Sequence, residues 1–144
     1  MVSGQGMLCL APHPDDEVLG CGGLLMLAQG HGMRVQTTIV TAGEQGLDGV
    51  EPDNPRLEES RVAARTMGLP EPDCWYLPDR QLRHSRPLIE RITQALRAHE
   101  SRWLLLPALT EPHPDHQALA LSGMAAAQQQ GGVSLLFYEV GAPT

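Results

Sequence analysis

Lysine is absent from this sequence, so its ten basic residues are all arginine, and seventeen acidic residues outweigh them. The resulting net charge of −7 disfavours nucleic acid or an anionic membrane surface as a partner. Long apolar runs are also missing, because no stretch reaches the roughly 20 residues that a membrane-spanning helix needs. The polar lead before Met7 lacks the basic start and apolar run of a signal peptide. These absences predict a soluble, cytoplasmic protein.

Aromatic residues are few, with two Trp, two Tyr and one Phe. The core must therefore be aliphatic, and a hydrophobic content of 42% is sufficient to build one. Cys9, Cys21 and Cys74 are odd in number, lie in apolar surroundings and lack CxxC spacing, so we interpret them as small core residues of a reducing compartment. The length favours a single domain, 1–144.

Two clusters of histidine and aspartate each follow an apolar strand. The first is His13–Glu17, after Leu8–Ala11, and the second is His113–His116, after Trp103–Leu106. Each cluster precedes an apolar pattern at helical spacing, so both lie on strand-to-helix turns, the usual site position in an open α/β sheet. Imidazole and carboxylate form the ligand set that suits Zn²⁺ with one position left for water. The clusters therefore predict a shared metal site.

Hydrophobic periodicity predicts five strands that alternate with four helices. The predicted strands are Met7–Ala11, Arg34–Thr41, Cys74–Leu77, Trp103–Leu106 and Ser134–Val140, and the predicted helices are Asp16–Gln29, Pro55–Met67, Pro87–His99 and His116–Gln130. This alternation indicates right-handed βαβ crossovers and a mainly parallel sheet. We predict a Rossmann-like three-layer α/β/α fold with strand order 3-2-1-4-5, because that order makes the first and fourth strands neighbours and lets the two clusters converge.

Several motifs together resemble one known family, the PIG-L/LmbE zinc-dependent N-acetylglucosaminyl deacetylases. The resemblance runs from about Met7 to Tyr138, and its most specific part is the pair of His-Pro-Asp motifs. The motifs are Pro12–Glu17, Thr41–Glu44, Arg56 with Glu59, Leu77–Asp79 and His113–His116. Members of the family usually continue well past the position of Thr144, so the resemblance implies a fragment or an unusually short member.

The resemblance also implies roles for five residues of the two clusters. It implies that His13, Asp16 and His116 ligate one Zn²⁺ and that Asp15 is the general base. A protonated His113 would face the oxyanion that develops during attack on an amide. The implied reaction removes the acetyl group of an N-acetylglucosamine-type sugar or conjugate. Such a substrate is a small molecule, and the sequence leaves open whether the protein forms homo-oligomers.

Other polar residues are candidates with simpler alternatives. Asp115 joins the catalytic candidates, because site histidines generally donate their second N–H to a carboxylate. Glu44 and Asp79 follow the second and third strands and are candidate substrate contacts, or are simply solvated loop residues. Arg56 begins a helix against the dipole preference, so it either holds a substrate oxygen, pairs with Glu59 or is solvated. Glu17 is interpreted as a capping or supporting residue.

Two further interpretations of the chain are weighed against these. Gly20, Gly22 and Gly23 fall one turn inside the first helix, which is the wrong register for a dinucleotide-binding loop. We therefore interpret them as small residues for close helix–sheet packing.

A metal-dependent phosphoester hydrolase and a non-catalytic or fragmentary metal-binding domain remain alternative functions. A phosphoesterase usually uses two metal ions and more carboxylates than these clusters supply.

Overall fold

The computed structural model describes residues 2–41 and 55–140, in which five strands alternate with four helices. The strands are β1 (Gly6–Ala11), β2 (Arg34–Thr41), β3 (Asp73–Leu77), β4 (Ser101–Pro107) and β5 (Ser134–Tyr138). The helices are α1 (Asp16–Gly30), α2 (Pro55–Met67), α3 (Arg86–His99) and α4 (Pro114–Gln130). Across these described ranges, no helix is both long and apolar enough to cross a bilayer.

All five strands form one parallel sheet with the order β3-β2-β1-β4-β5. β1 lies at the centre, with Met7 opposite both Val35 of β2 and Trp103 of β4. Every residue of β1 is buried, which explains its unbroken apolar sequence. The predicted α/β fold, parallel sheet and strand order are confirmed, and the carboxyl ends of β1 and β4 meet at one edge.

The sheet divides the core into two layers, and β1 feeds both because successive strand residues point to opposite faces. Leu8 and Leu10 pack with the buried residues of α3 and α4, whereas Met7 and Cys9 pack with those of α1. Leu57 of α2 packs with Ala11 and Ile39 in a smaller cluster. This anchoring on both faces makes β1 a rigid base for the residues that follow it.

The three cysteines differ in burial. Cys9 and Cys21 are buried, and their sulfur atoms lie 3.0 Å apart between β1 and α1. Cys74 on β3 is only half-buried. The interpretation as core residues is therefore right for Cys9 and Cys21 and only partly right for Cys74.

The glycines of α1 also separate into two kinds. A Cβ atom on Gly20 would lie 2.2 Å from the ring of Tyr138, and one on Gly22 would lie 3.3 Å from the sulfur of Met67. A Cβ atom on Gly23 would meet no atom within 4 Å. Close packing therefore requires Gly20 against β5 and favours Gly22 against α2. The packing interpretation was wrong for Gly23, which faces open space.

Several element ends differ from their predicted positions by one or two residues, and two of these differences have local reasons. α4 begins at Pro114 instead of His116, because proline suits the first helical position, where its missing N–H has no helical partner. β5 ends at Tyr138 instead of Val140, because the Val140 N–H donates to the side chain of Glu111. The first difference places His116 inside the first turn of α4, beside the end of β1.

Candidate metal centre and active site

Three imidazoles from the two sequence clusters come together at the carboxyl edge of β1 and β4. The ring of His13 lies 4.6 Å from that of His113 and 5.4 Å from that of His116, measured between centroids. The rings of His113 and His116 are 5.3 Å apart. Residues about a hundred positions apart in sequence thus meet because β1 and β4 are neighbours, as the predicted strand order requires.

The turn between β1 and α1 directs the two adjacent aspartates differently. Asp15 precedes the helix in the left-handed region, with φ of 80°, and its side chain makes no capping hydrogen bond. Asp16 begins the helix, and its Oδ2 accepts a hydrogen bond of 3.1 Å from the backbone N–H of His13. The Asp16 carboxylate therefore folds back over the turn toward the imidazoles, while Asp15 lies on its outer side with a side chain that is 30% exposed.

His13, Asp16 and His116 are buried, and one potential ligand atom from each lies within 4.8 Å of the others. Oδ2 of Asp16 is their common neighbour, at 3.4 Å from His13 Nδ1 and 3.2 Å from His116 Nε2. Nδ1 of His116 is buried and has no hydrogen-bond partner among the described residues. Two imidazole nitrogens and one carboxylate oxygen form a ligand set typical of Zn²⁺, so the residues present fit a divalent cation.

A second group, His13 with His113 and Asp115, has similar spacing but is less suited to a metal ion. Nδ1 of His113 already accepts a hydrogen bond of 3.0 Å from the Asp115 backbone N–H. Asp115 accepts hydrogen bonds from the backbone N–H groups of Arg80 and Leu82, at 2.7 and 3.1 Å. Because these lone pairs are occupied, the first group fits a divalent cation better than the second.

Asp115 is fully buried and orients the ring of His13. Its Oδ2 lies 2.8 Å from His13 Nε2, and because an ionised carboxylate only accepts, Nε2 carries the hydrogen. This bond leaves Nδ1 of His13 as the nitrogen that faces Asp16. Oδ1 of Asp79 lies 2.9 Å from the same Nε2 without forming a hydrogen bond of its own. Asp79, a predicted substrate contact, is thus buried against His13.

Buried opposite charges determine the protonation of the cluster. Burial opposes protonation of His13, but its hydrogen bonds with Asp115 and Asp16 raise its pKa from 6.5 to about 9. Burial opposes ionisation of Asp16, but bonds with His116 and His13 lower its pKa from 3.8 to about 2. Burial likewise opposes ionisation of Asp115, but its hydrogen bonds, led by that from His13, keep its pKa below the usual value. Asp16 and Asp115 are therefore anions, while the raised pKa of His13 means that a metal ion binding there would displace its proton.

His113 is the N-cap residue of α4 and is half-buried. Burial and the nearby charge of His13 lower the pKa of His113. The expected protonated imidazole is therefore disfavoured, and the accepting role of Nδ1 places the single hydrogen of the neutral ring on Nε2. A neutral His113 can still donate a hydrogen bond to a substrate oxygen.

The remaining predicted residues have mixed placements. Arg56 extends from α2 to the outer side of the β1–α1 turn, where its Nη2 donates to the Pro14 carbonyl at 3.2 Å and its Nε lies 3.8 Å from Asp15 Oδ2. Its side chain is 46% exposed, so it can still meet a ligand. Glu44 lies outside the described residues. No described contact tests a substrate role for either residue.

Sequence reasoning did not identify Ser60 and underestimated Glu17. Ser60 is fully buried on α2 and contacts Asp15. Its position four residues after Arg56, on the same helix face, was an available signal in the sequence.

Both carboxylate oxygens of Glu17 are buried without a hydrogen-bond partner in the described chain. Burial raises the pKa of Glu17 from 4.5 to about 7. No signal in the sequence distinguishes this residue from an ordinary helix-terminal anion.

Comparison with known proteins identifies the family. The family model described as PIG-L, GlcNAc-PI de-N-acetylase, matches residues 8–127. The chain belongs to the PIG-L family. The resemblance carried by the two His-Pro-Asp motifs is thereby confirmed.

Curated relatives of this PIG-L chain are named as deacetylases. The diacetylchitobiose deacetylase of Thermococcus kodakarensis is 29% identical over 133 residues, which cover 87% of this chain and 50% of that protein. The uncharacterised deacetylase YaiS of Escherichia coli is 38% identical over 64 residues, which cover 44% of this chain and 33% of that protein. The chain thus spans at most half the length of these two relatives.

Solved structures agree with the fold assignment. The conserved protein TT1542 of Thermus thermophilus is 31% identical with a TM-score of 0.79, and the match covers 100% of this chain and 69% of that one. The 4-carboxy-2-hydroxymuconate hydratase of Pseudomonas putida is 21% identical with a TM-score of 0.72, over 86% of this chain and 56% of that one. At that identity the hydratase shares the fold alone, so the reaction must be argued from the site.

Proposed function

We propose that this protein is a Zn²⁺-dependent N-deacetylase that hydrolyses the acetamide of an N-acetylglucosamine-type sugar or conjugate. The observation that carries the proposal is the buried group of His13, Asp16 and His116 within 4.8 Å, with the partly exposed Asp15 adjacent to Asp16 in the chain. Zn²⁺ held by these three residues would supply Lewis-acid chemistry, polarising a carbonyl and lowering the pKa of water to about 7.

The protein's own residues would carry the proton transfers. Asp15 accepts a proton from the attacking water while the water oxygen forms a bond to the amide carbon. Nε2–H of His113 donates to the carbonyl oxygen as negative charge develops there. When the carbon–nitrogen bond breaks, Asp15 returns the proton to the nitrogen, so the products are acetate and a free amine. Asp115 supports this chemistry by fixing the ring of His13 through Nε2.

The substrate class rests on the family and on the outer face of the site. The family description names an N-acetylated glucosamine lipid, and the archaeal relative is named for an N-acetylated disaccharide. Arg56, which is 46% exposed beside Asp15, is our candidate for binding a sugar oxygen, and Glu44 and Asp79 are retained as further candidates. We further propose that the chain acts as a single cytoplasmic domain on a small molecule; homo-oligomers are compatible with this.

Acetate release from defined substrates tests the proposal. Protein reconstituted with one equivalent of Zn²⁺ should release acetate from N-acetylglucosamine or N,N′-diacetylchitobiose. Asp15→Asn should retain the ion but react roughly 10²–10⁴-fold more slowly, because the asparagine side chain cannot accept the proton. Asp73→Asn is the matched control, because among the described residues this exposed carboxylate at the start of β3 has a side-chain hydrogen bond only with Gln36.

Two results would redirect the assignment. Full activity in Asp15→Asn would remove Asp15 from its role as the base. Stoichiometric Zn²⁺ binding without acetate release from either substrate would favour the non-catalytic or fragmentary metal-binding alternative. Release of nitrophenol from p-nitrophenyl phosphate by the same preparation would instead favour a phosphoester hydrolase.

A further inference from the structure

Asp15 holds an unusual backbone conformation at the centre of the proposed site. Its φ of 80° lies in the left-handed region, where a non-glycine residue is strained unless its surroundings hold it. The side chain does not cap α1, and the Asp15 carbonyl accepts the first helical hydrogen bond, from the Leu19 N–H at 3.0 Å. The helix thus holds the carbonyl of Asp15, whereas its N–H is bonded from outside the β1–α1 turn.

The restraint comes from Ser60 on α2, which is 45 positions away in sequence. Ser60 Oγ accepts a hydrogen bond of 2.9 Å from the Asp15 backbone N–H. The same hydroxyl lies 3.5 Å from Asp15 Oδ1, to which it can donate. A hydroxyl can accept and donate at once, so Ser60 restrains the backbone of Asp15 and lies beside its carboxylate.

Ser60 is fully buried, so water does not compete for these bonds. One turn earlier on α2, Arg56 donates to the Pro14 carbonyl. The two contacts join α2 to successive residues of the β1–α1 turn. They also separate the two aspartates, because Asp16 faces the imidazoles while Asp15 faces α2.

We infer that Ser60 is a positioning residue, which holds Asp15 in the left-handed geometry that its role as proton acceptor requires. The inference rests on the proposed function of Asp15. A misplacement of about 1 Å in a reacting group can cost on the order of 10²-fold in rate. Ser60→Ala should therefore lower kcat by about 10- to 100-fold, with KM within about twofold. Zn²⁺ stoichiometry should stay unchanged, because Ser60 contacts none of the three proposed ligands by a described hydrogen bond.

The matched control is Ser122→Ala. Ser122 is also fully buried on a helix, and its hydroxyl bonds the ring of His84 at 3.1 Å. The Ser122→Ala substitution therefore removes the same hydroxyl oxygen from an equally buried position outside the proposed site. Ser60→Cys provides a second variant should the alanine variant not fold. Cysteine is close to serine in volume, but its thiol forms only weak hydrogen bonds.

Amide hydrogen exchange gives a readout that does not depend on activity. In metal-free protein the Asp15 amide should exchange slowly, because Ser60 accepts its hydrogen bond. Ser60→Ala or Ser60→Cys should accelerate exchange at this amide at least tenfold, and Ser122→Ala should not. Equal protection of the Asp15 amide in the wild type and the Ser60 variants would overturn the inference.

A double variant then connects the position of Asp15 to catalysis. Ser60→Ala added to Asp15→Asn should cause no further loss of kcat, because the group that Ser60 positions is already inactive. A full additional 10-fold loss in that background would contradict positioning through Asp15. An Asp15→Asn variant as active as the wild type would refute the proposed base instead, and the exchange experiment would still decide whether Ser60 holds the turn.

Discussion

Replacing Asp115 with asparagine should damage both stability and metal binding, although this residue is not one of the proposed ligands. Its carboxylate is fully buried and accepts three hydrogen bonds. His13 Nε2 and the Arg80 N–H both reach Oδ2, at 2.8 and 2.7 Å, and the Leu82 N–H reaches Oδ1 at 3.1 Å. The Asp115→Asn change replaces one acceptor oxygen with an NH₂ group and removes the negative charge.

The expected cost follows from these three bonds. In the better of its two orientations, the Asn oxygen occupies the Oδ2 position and keeps two bonds, while NH₂ confronts the Leu82 N–H. One unsatisfied buried donor costs about 1–3 kcal/mol, and the two retained bonds lose their charge assistance, which roughly halves their strength. A total near 3 kcal/mol is a large part of the about 5–15 kcal/mol that stabilises a typical domain.

Urea denaturation in the presence of a chelator measures the stability change. With a slope of about 2 kcal/mol/M, the midpoint should fall by about 1.5 M in Asp115→Asn. Zn²⁺ titration against a competing chelator should also show an affinity about 10- to 100-fold weaker, because the ring of His13 loses the group that orients it. Asp79→Asn is the control, because Asp79 lies 2.9 Å from the same ring nitrogen but makes no hydrogen bond to it.

The comparison between the two variants can refute this reasoning. Asp79→Asn should change the free energy of unfolding by less than about 1 kcal/mol, because no satisfied donor is lost. Equal midpoints for the two variants would show that proximity to His13, and not the hydrogen bonds of Asp115, sets the cost. Unchanged Zn²⁺ affinity in Asp115→Asn would show that His13 keeps its orientation without this bond.

Two further predictions use matched pairs. Gly20→Ala should lower the free energy of unfolding by about 1–3 kcal/mol, because the new Cβ would overlap the ring of Tyr138. Gly23→Ala should raise the free energy of unfolding by about 0.5–1 kcal/mol, because the added methyl meets only open space. Thermal unfolding of both variants checks the difference in sign. His116→Ala should abolish stoichiometric Zn²⁺ binding, whereas substitution of the exposed His31 by alanine should retain about one equivalent. Elemental analysis of both variants measures the bound Zn²⁺. Full occupancy in His116→Ala would exclude His116 as a ligand.

Much of the fold could be predicted because its signals are local. The periodicity of β2 and α2 gave their bounds correctly, and the alternation of strands and helices was sufficient for a parallel sheet. The strand order followed from one further condition, that two clusters of metal-ligand residues reach a common point. The observed order places His13 and His116 within 5.4 Å, centroid to centroid.

The less predictable features depend on contacts between distant residues. No pattern in the sequence indicated that Asp79 and Asp115 would share one nitrogen of His13, because the loop after β3 meets α4 only in the folded chain. The neutral preference of His113 likewise results from its burial and from the charge of His13. Such properties depend on the surroundings of a side chain and not on its type.

The sequence by itself determined which chemical groups the site contains and which strand ends carry them. Only the tertiary structure decided how Asp15 and Asp16, adjacent and identical in type, differ in position. Asp16 begins α1 and turns back to two imidazoles, whereas Asp15 is held by α2 at a left-handed φ of 80°. The physical reason is that a backbone dihedral of this kind is unfavourable in the isolated segment, whereas in the folded chain a buried hydroxyl 45 positions away accepts the N–H of Asp15.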